Sequence, residues 1–114
     1  MELPDPKNLF SANTARTYPV TAENLAQAVE EATRSLPGWT VTRATEEEVQ
    51  ATRETRFLSF TDDVTVLLTQ SRSGANTNTR AEFTSASRTG VWNLGQNRRN
   101  LGELLAAIDQ KLTS

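Results

Sequence analysis

The sequence predicts an α+β fold: a two-layer sandwich in which an N-terminal and a C-terminal helix pack on one face of an antiparallel meander of about four strands. Two observations predict the layers. Apolar residues recur at helical spacing in one segment near each end of the chain, and between these segments they alternate with polar residues in short runs. Turn residues separate the runs, so that neighbouring strands are expected to pair as antiparallel hairpins.

Length and composition indicate a single domain. The chain has 114 residues, of which 36% are hydrophobic, and contains neither cysteine nor histidine. A domain of this size buries enough surface to fold without a disulfide or a metal ion. Residues 1–14 hold two prolines and show no period, so we expect an extended N-terminal arm there and a single α+β domain over residues 15–114.

The domain is expected to open with a short strand and a helix. Residues 17–20 have strand character, and Pro19 would restrict them to a sheet edge. Thr21 is a suitable N-cap for a helix that should cover about residues 22–35 and stop at the Pro-Gly pair of residues 37–38.

Four runs of alternating residues predict the meander. Their apolar members are Trp39, Val41, Val49, Ala51, Val64, Val66, Leu68, Ala81 and Phe83. Phe57, Leu58 and Phe60 precede the third run, and residues 71–78 around Gly74 predict a hairpin loop between the third and fourth. After a connection at residues 90–95, the strongest amphipathic stripe predicts a helix over about residues 97–112.

The core can be predicted from the apolar residues that recur at helical spacing in the helices and at every second position in the strands. The residues expected to meet between the helices and the sheet are Leu25, Val29, Leu101, Leu105, Ile108, Val64, Val66, Leu68 and Phe83.

The charge balance excludes several classes of function. Twelve basic and 14 acidic residues give a net charge of −2, which offers no overall attraction to nucleic acid or anionic membranes. No apolar stretch approaches the ~20 residues that span a bilayer. The segment begins without an export signal, so a cytoplasmic protein is expected, with a trimmed signal as the alternative. Without histidine or cysteine, the usual general base and thiol nucleophile are absent, and no phosphate-binding loop is present.

Three short motifs carry a family resemblance. Residues 60–64 are Phe-Thr-Asp-Asp-Val, residues 85–90 are Ser-Ala-Ser-Arg-Thr-Gly, and residues 94–99 are Leu-Gly-Gln-Asn-Arg-Arg. In this order they resemble the family called domain of unknown function 1499 (DUF1499), over about residues 17–112. Relatives often carry an aspartate where this chain has Asn93. The resemblance implies a fold and a candidate site, and no reaction, because the family has no established one.

The pair Asp62–Asp63 can be interpreted in two ways. Adjacent strand residues point to opposite faces, so the two carboxylates do not form a catalytic dyad. One of them can serve as a metal ligand or general base; the favoured interpretation is a structural acid that pairs with an arginine. A metal is not expected, since the sequence fixes no second acidic cluster beside the pair.

The segment from Arg72 to Arg99 contains five arginines and one acid, Glu82, and is therefore locally basic. Guanidinium groups and the free N–H groups of a helix start suit an anion. The predicted ligand-binding residues are Ser85, Ser87, Arg88, Trp92, Asn97 and Arg98. The alternative is an internal polar clamp in which Arg88 bonds Asp62 or Asp63, and the two interpretations are compatible.

The leading functional hypothesis is a non-enzymatic binding or accessory module for an anionic small molecule or a protein partner, with no catalytic residue and no cofactor. One alternative is an enzyme that uses Asp62 or Asp63 as acid or base. A structural subunit of a larger assembly is the other. The oligomeric state and the identity of the partner are not predicted.

Overall fold

A computed structural model describes residues 11–54, 60–88 and 94–113 of the chain. In chain order its elements are β1 (Ser11–Tyr18), α1 (Ala22–Ser35), β2 (Trp39–Ala44), β3 (Glu48–Glu54), β4 (Thr61–Ser73), β5 (Asn76–Ser87) and α2 (Leu94–Thr113). The α+β class is therefore as predicted. Phe57 and Leu58, and residues 90–93 of the predicted connection, lie outside the described residues.

The strands form one antiparallel sheet of five strands in the order β1-β5-β4-β3-β2. The last four strands are the predicted meander. The fifth, β1, pairs with β5, so α1 carries the chain from one edge of the sheet to the other. The prediction of about four strands is thus one short of the observed sheet.

Strand β1 is longer than the short edge strand predicted at residues 17–20. It begins at Ser11, so residues 11–14 of the predicted arm pair with β5, while residues 1–10 lie outside the described part of the chain. On the inward face of β1, Ala12 and Tyr18 are buried but Arg16 is exposed. Because the inward face of β1 includes a charged residue, the strand lacks the regular alternation of apolar and polar residues from which strands are predicted.

The hairpin between β4 and β5 is also tighter than predicted. The strands pair up to Ser73 and Asn76, so the loop expected over residues 71–78 shrinks to Gly74 and Ala75. Gly74 has φ 62, a left-handed conformation that glycine adopts without a steric penalty. Small polar residues flank the turn and allow the ladder to continue to its tip.

Helix α1 has the predicted bounds, and the Thr21 side chain accepts a hydrogen bond from the Asn24 N–H at 3.1 Å. Helix α2 begins at Leu94, before the predicted start at residue 97. Its early turns place Asn97 and Asn100 in the buried interior, where an apolar pattern would have shown leucine or valine. Neither described helix is apolar over a length that would cross a bilayer.

One buried core contains residues of both helices and of the sheet. All residues predicted for the core are buried, and Trp39 joins them. In β4, Val64, Val66 and Leu68 alternate with exposed or half-buried residues, so one face of the strand is buried and the other is partly exposed. The same alternation places Asp62 on the buried face and Asp63 on the opposite one.

Candidate functional site

At one end of the domain the buried core changes from apolar to polar. The start of β4, the end of β5 and the early turns of α2 meet there. They contribute Asp62, Ser85, Asn97 and Asn100, all with 0% of their surface exposed. We call these four residues the polar cluster. Because buried polar groups are costly without partners, their hydrogen bonds decide whether the cluster is stable.

Hydrogen bonds connect the four side chains. Asn100 Nδ2 donates to Asp62 Oδ2 at 2.8 Å and to Ser85 Oγ at 3.1 Å, and Ser85 Oγ donates to Asn97 Oδ1 at 2.9 Å. Gln96 Nε2 donates to Asn100 Oδ1 at 2.9 Å, which orients the Asn100 amide. The network therefore fixes α2 against β4 and β5.

One oxygen of the cluster is left without a hydrogen bond. Asp62 Oδ1 is buried and has no partner among the described residues. Asp62 has two cross-strand partners, Arg53 in β3 and Ser87 in β5. Directly opposed residues have Cβ atoms about 5 Å apart and share a face of the sheet, so Arg53 stands beside Asp62, although it donates no hydrogen bond to Oδ1.

Arg53 extends the polar region toward the other edge of the sheet. Its guanidinium lies 3.7 Å from a Glu103 carboxylate oxygen, and the same carboxylate accepts a hydrogen bond from Trp39 Nε1 at 3.3 Å. Glu103 of α2 thus contacts residues of β2 and β3. These contacts are half-buried, and they anchor the middle of α2 as the polar cluster anchors its beginning.

Asp63 makes the predicted contact with arginine, on the opposite face of the sheet. Arg88 donates two hydrogen bonds to the Asp63 carboxylate, at 2.6 and 3.2 Å. Both side chains are about half exposed, 57% for Arg88 and 48% for Asp63. The hydrogen bond to Asp63 and the negative charge of that carboxylate raise the pKa of Arg88 above its ordinary value. Because water screens an exposed ion pair, the contact joins the end of β5 to β4 but contributes little to the stability of the fold.

The residues predicted to bind a ligand do not share one surface. Ser85 and Asn97 are buried in the polar cluster, whereas Arg88 lies on the other side of the sheet. Ser87 is half-buried at the end of β5, and Trp92 lies outside the described residues. The predicted clamp is likewise divided, because Arg88 binds Asp63 while Asn100 binds Asp62.

Arg98 borders a groove between the sheet edge and the second helix. Residues 11–14 of β1 form one wall, and Arg98, Leu101, Gly102 and Leu105 of α2 form the other. We call this the β1–α2 groove; its volume is about 480 Å³. Arg98 is exposed and has no ion-pair partner in the described part of the chain, and no acidic residue lines the groove. The groove is therefore lined by polar and apolar residues together with one cation.

The described residues offer little for acid–base or metal chemistry. Across residues 11–54, 60–88 and 94–113, no group of three or more acidic side chains comes together to hold a metal ion. Asp62 is enclosed and Asp63 is paired with Arg88.

Sequence reasoning missed Asn100, Gln96, Glu103 and Arg53, which complete the polar region. One signal was available. Asn97 and Asn100 are three residues apart and in phase with Leu101 and Leu104, so the buried stripe of α2 includes two amides. An amide pair within an apolar stripe indicates a buried polar partner across the layer.

Comparisons with known proteins agree on the fold. A family model described as "Protein of unknown function (DUF1499)" matches residues 4–108. The chain is similar to the crystal structure of MLL2253 from Mesorhizobium loti, with 14% identity, a TM-score of 0.56, and coverage of 90% of this chain and 96% of that one. It is also similar to the crystal structure of DR_A0006 from Deinococcus radiodurans, with 13% identity, a TM-score of 0.53, and coverage of 91% and 99%. None of the curated proteins matches it.

Proposed function

Because the chain belongs to the DUF1499 family, whose members have unknown function, we propose a role from its own geometry: it is a non-enzymatic binding module that holds an anionic group in the β1–α2 groove. The ligand is a carboxylate on a protein partner or on a small molecule. Of the residues predicted from sequence to bind a ligand, Arg98 is the one that keeps this role.

The observation that carries the proposal is the exposed Arg98 beside a groove of mixed polar and apolar lining. A groove of about 480 Å³ lies within the range of small-ligand sites, about 300–1,000 Å³. Leu101 and Leu105 supply its apolar surface, and the guanidinium supplies the group that orients a ligand. In this proposal both helices lie over the buried face of the sheet, and the groove opens where α2 passes the β1 edge.

Arginine suits this role because its planar guanidinium can donate two parallel hydrogen bonds to one carboxylate. A hydrogen bond to a charged group contributes about 1.5–3 kcal/mol, which corresponds to roughly a tenfold to hundredfold change in affinity. Arg88 is less available for the same task, since its donors are already engaged by Asp63.

The alternative of an enzyme that uses Asp62 or Asp63 has one observation in its favour, the unpaired Oδ1 of Asp62. A general base must reach the proton that it removes, however, and Asp62 is fully enclosed. Asp63 is accessible, but both of its carboxylate oxygens already accept hydrogen bonds from Arg88. Both carboxylates therefore fit structural roles better.

The proposal is tested by calorimetric titration with glutarate and with two short peptides of alternating valine and threonine, acetylated and amidated. One peptide carries a central glutamate and the other a glutamine, and we call them the glutamate peptide and the glutamine peptide. The glutamate peptide and glutarate should bind, and Arg98→Ala should weaken both by about tenfold or more.

Arg99→Ala is the matched control, because Arg99 is the next residue of α2, is also exposed, and does not border the groove. It removes the same charge from the same helix turn. Equal losses in the two variants would show that net charge, and not the groove, attracts the anion, and the proposal would then be wrong.

A further inference from the structure

The β1–α2 groove runs along an open strand edge. β1 pairs with β5 on one side, and on its other side no strand follows among the described residues. An edge strand presents backbone N–H and C=O groups that can pair with another chain. Residues 12–14 border the groove, and at about 3.4 Å per residue they provide roughly 10 Å of edge.

The two edges of the sheet differ in how they are protected. At the opposite edge, β2 has a register irregularity between Val41 and Arg43, and an exposed arginine follows the irregularity. Bulges and charged side chains are the usual means by which proteins prevent edge pairing. Residues 12–14 are Ala-Asn-Thr, which contain no charge and no proline, while the exposed Arg16 lies further along β1. This part of the β1 edge therefore has neither a bulge nor a charged side chain to prevent pairing.

The helix wall leaves room for side chains from an added strand. A Cβ atom at Gly102 would meet nothing within 4 Å, and Gly102 lies between Leu101 and Leu105 on this wall. In an added strand every second side chain would point toward α2. Apolar side chains there would contact the two leucines above the space at Gly102.

From the open edge, the space at Gly102 and the cation at Arg98, we infer that the occupant of the groove is an extended acidic segment of a partner protein, which adds to the sheet beside β1. The inference rests on the proposed function and specifies its ligand. Main-chain hydrogen bonds to β1 supply affinity, and a carboxylate on Arg98 supplies selectivity. The partner segment is expected to be acidic, because the charged residue that lines the groove is the cation Arg98.

The test of strand addition is amide hydrogen exchange, followed by NMR, with and without the glutamate peptide. The peptide should slow exchange of amides within residues 12–14, since new backbone hydrogen bonds protect them. A version of the peptide with every second amide nitrogen methylated, on the edge that faces β1, should bind at least about tenfold more weakly, because it loses those bonds.

A groove-filling variant supplies a second test. Gly102→Leu should abolish peptide binding while leaving the protein folded, because leucine is a better helix former than glycine and the space is open. Gly95→Leu is the matched control: Gly95 is also in α2, also has nothing within 4 Å of a built Cβ, and does not line the groove. It should bind the peptide as the unaltered protein does.

The outcomes separate the inference from the proposed function. If glutarate and both glutamate peptides, methylated and unmethylated, bind equally and depend on Arg98, strand addition is wrong and anion binding stands. If no carboxylate compound binds, both are wrong. If residues 12–14 become protected with rising protein concentration and without peptide, the edge pairs with a second copy of this chain, and the inference is overturned.

Discussion

Asn100→Ala is expected to be among the most damaging single substitutions in this domain, although it removes only a small polar side chain. Asn100 donates to Asp62 Oδ2 at 2.8 Å and to Ser85 Oγ at 3.1 Å, and all three residues are fully buried. Alanine would leave both oxygens of the Asp62 carboxylate without a hydrogen bond, since Oδ1 already lacks one. The loss therefore includes an uncompensated buried charge.

The size of the effect follows from these contacts. A hydrogen bond to a charged group contributes about 1.5–3 kcal/mol and one to a neutral group about 1 kcal/mol. Removing one partner of a buried ion pair costs about 3–5 kcal/mol in measured cases, and Asn100→Ala likewise leaves a buried carboxylate without its donor. We expect Asn100→Ala to lower the free energy of unfolding by about 3–5 kcal/mol. With a urea dependence of about 1–3 kcal/mol per molar, the unfolding midpoint should fall by roughly 2 M.

Urea denaturation followed by tryptophan fluorescence measures this change, with Gln96→Ala as the control. Gln96 donates one hydrogen bond, to Asn100 Oδ1, from a part-buried position, so its removal should cost about 1 kcal/mol. Substituting both Asp62→Leu and Asn100→Leu should recover much of the loss, because apolar groups need no partners. A loss below about 1 kcal/mol for Asn100→Ala, or additive effects in the leucine pair, would refute the reasoning.

Other measurements test the core, the surface ion pair and the buried phenol. Leu104→Ala and Leu105→Ala should each lower the free energy of unfolding by about 2–5 kcal/mol. Leu104, 1% exposed, should cost more than Leu105, 9% exposed, because water in the adjoining groove can fill the space left by Leu105; thermal denaturation gives the order. Arg88→Ala should leave the urea midpoint nearly unchanged, since its pair with Asp63 is exposed, and a large drop would contradict this. Burial, reinforced by Asp109, raises the pKa of Tyr18 above 10.0, so its phenolate absorbance should appear only at higher pH. Above pH 10.0 the unfolded chain loses this proton before the folded one, so stability should fall as pH rises, and Tyr18→Phe should remove that part of the fall.

The elements with a regular pattern were predictable from sequence. Val64, Val66 and Leu68 alternate without interruption, and the capping residue Thr21 and the Pro-Gly pair bracket α1, so these bounds agree with the structure. β1 was not fully predictable, because Arg16 occupies an inward position and is paired at the surface with Asp109 of α2 at 3.5 Å. A contact 93 residues away decides the position of that side chain, and no local pattern contains it.

The candidate site was predictable in part. The sequence places Asp62 and Asp63 on opposite faces, and the apolar phase of β4 indicates that Asp62 is the inward one. The partner of each carboxylate was beyond local reasoning. Asn100 meets Asp62 because of the rotation of α2 about its own axis, which depends on how Leu101, Leu104 and Ile108 pack against the sheet. Trp92, the remaining predicted residue, lies outside the described residues.

The position of Asp62 also has a consequence for how the strands align during folding. If β4 slipped by one residue, Asp63 and Leu67 would turn inward and Val64 would face solvent. If it slipped by two, the apolar face would be kept but Val64 would stand where Asn100 now donates to Asp62. Only the native alignment keeps both the apolar face of β4 and a carboxylate beside the Asn100 amide. We infer that the polar cluster disfavours sheets in which β4 is misaligned. The double variant Asp62→Leu with Asn100→Leu should therefore fold stably but no longer favour the native strand alignment over misaligned ones.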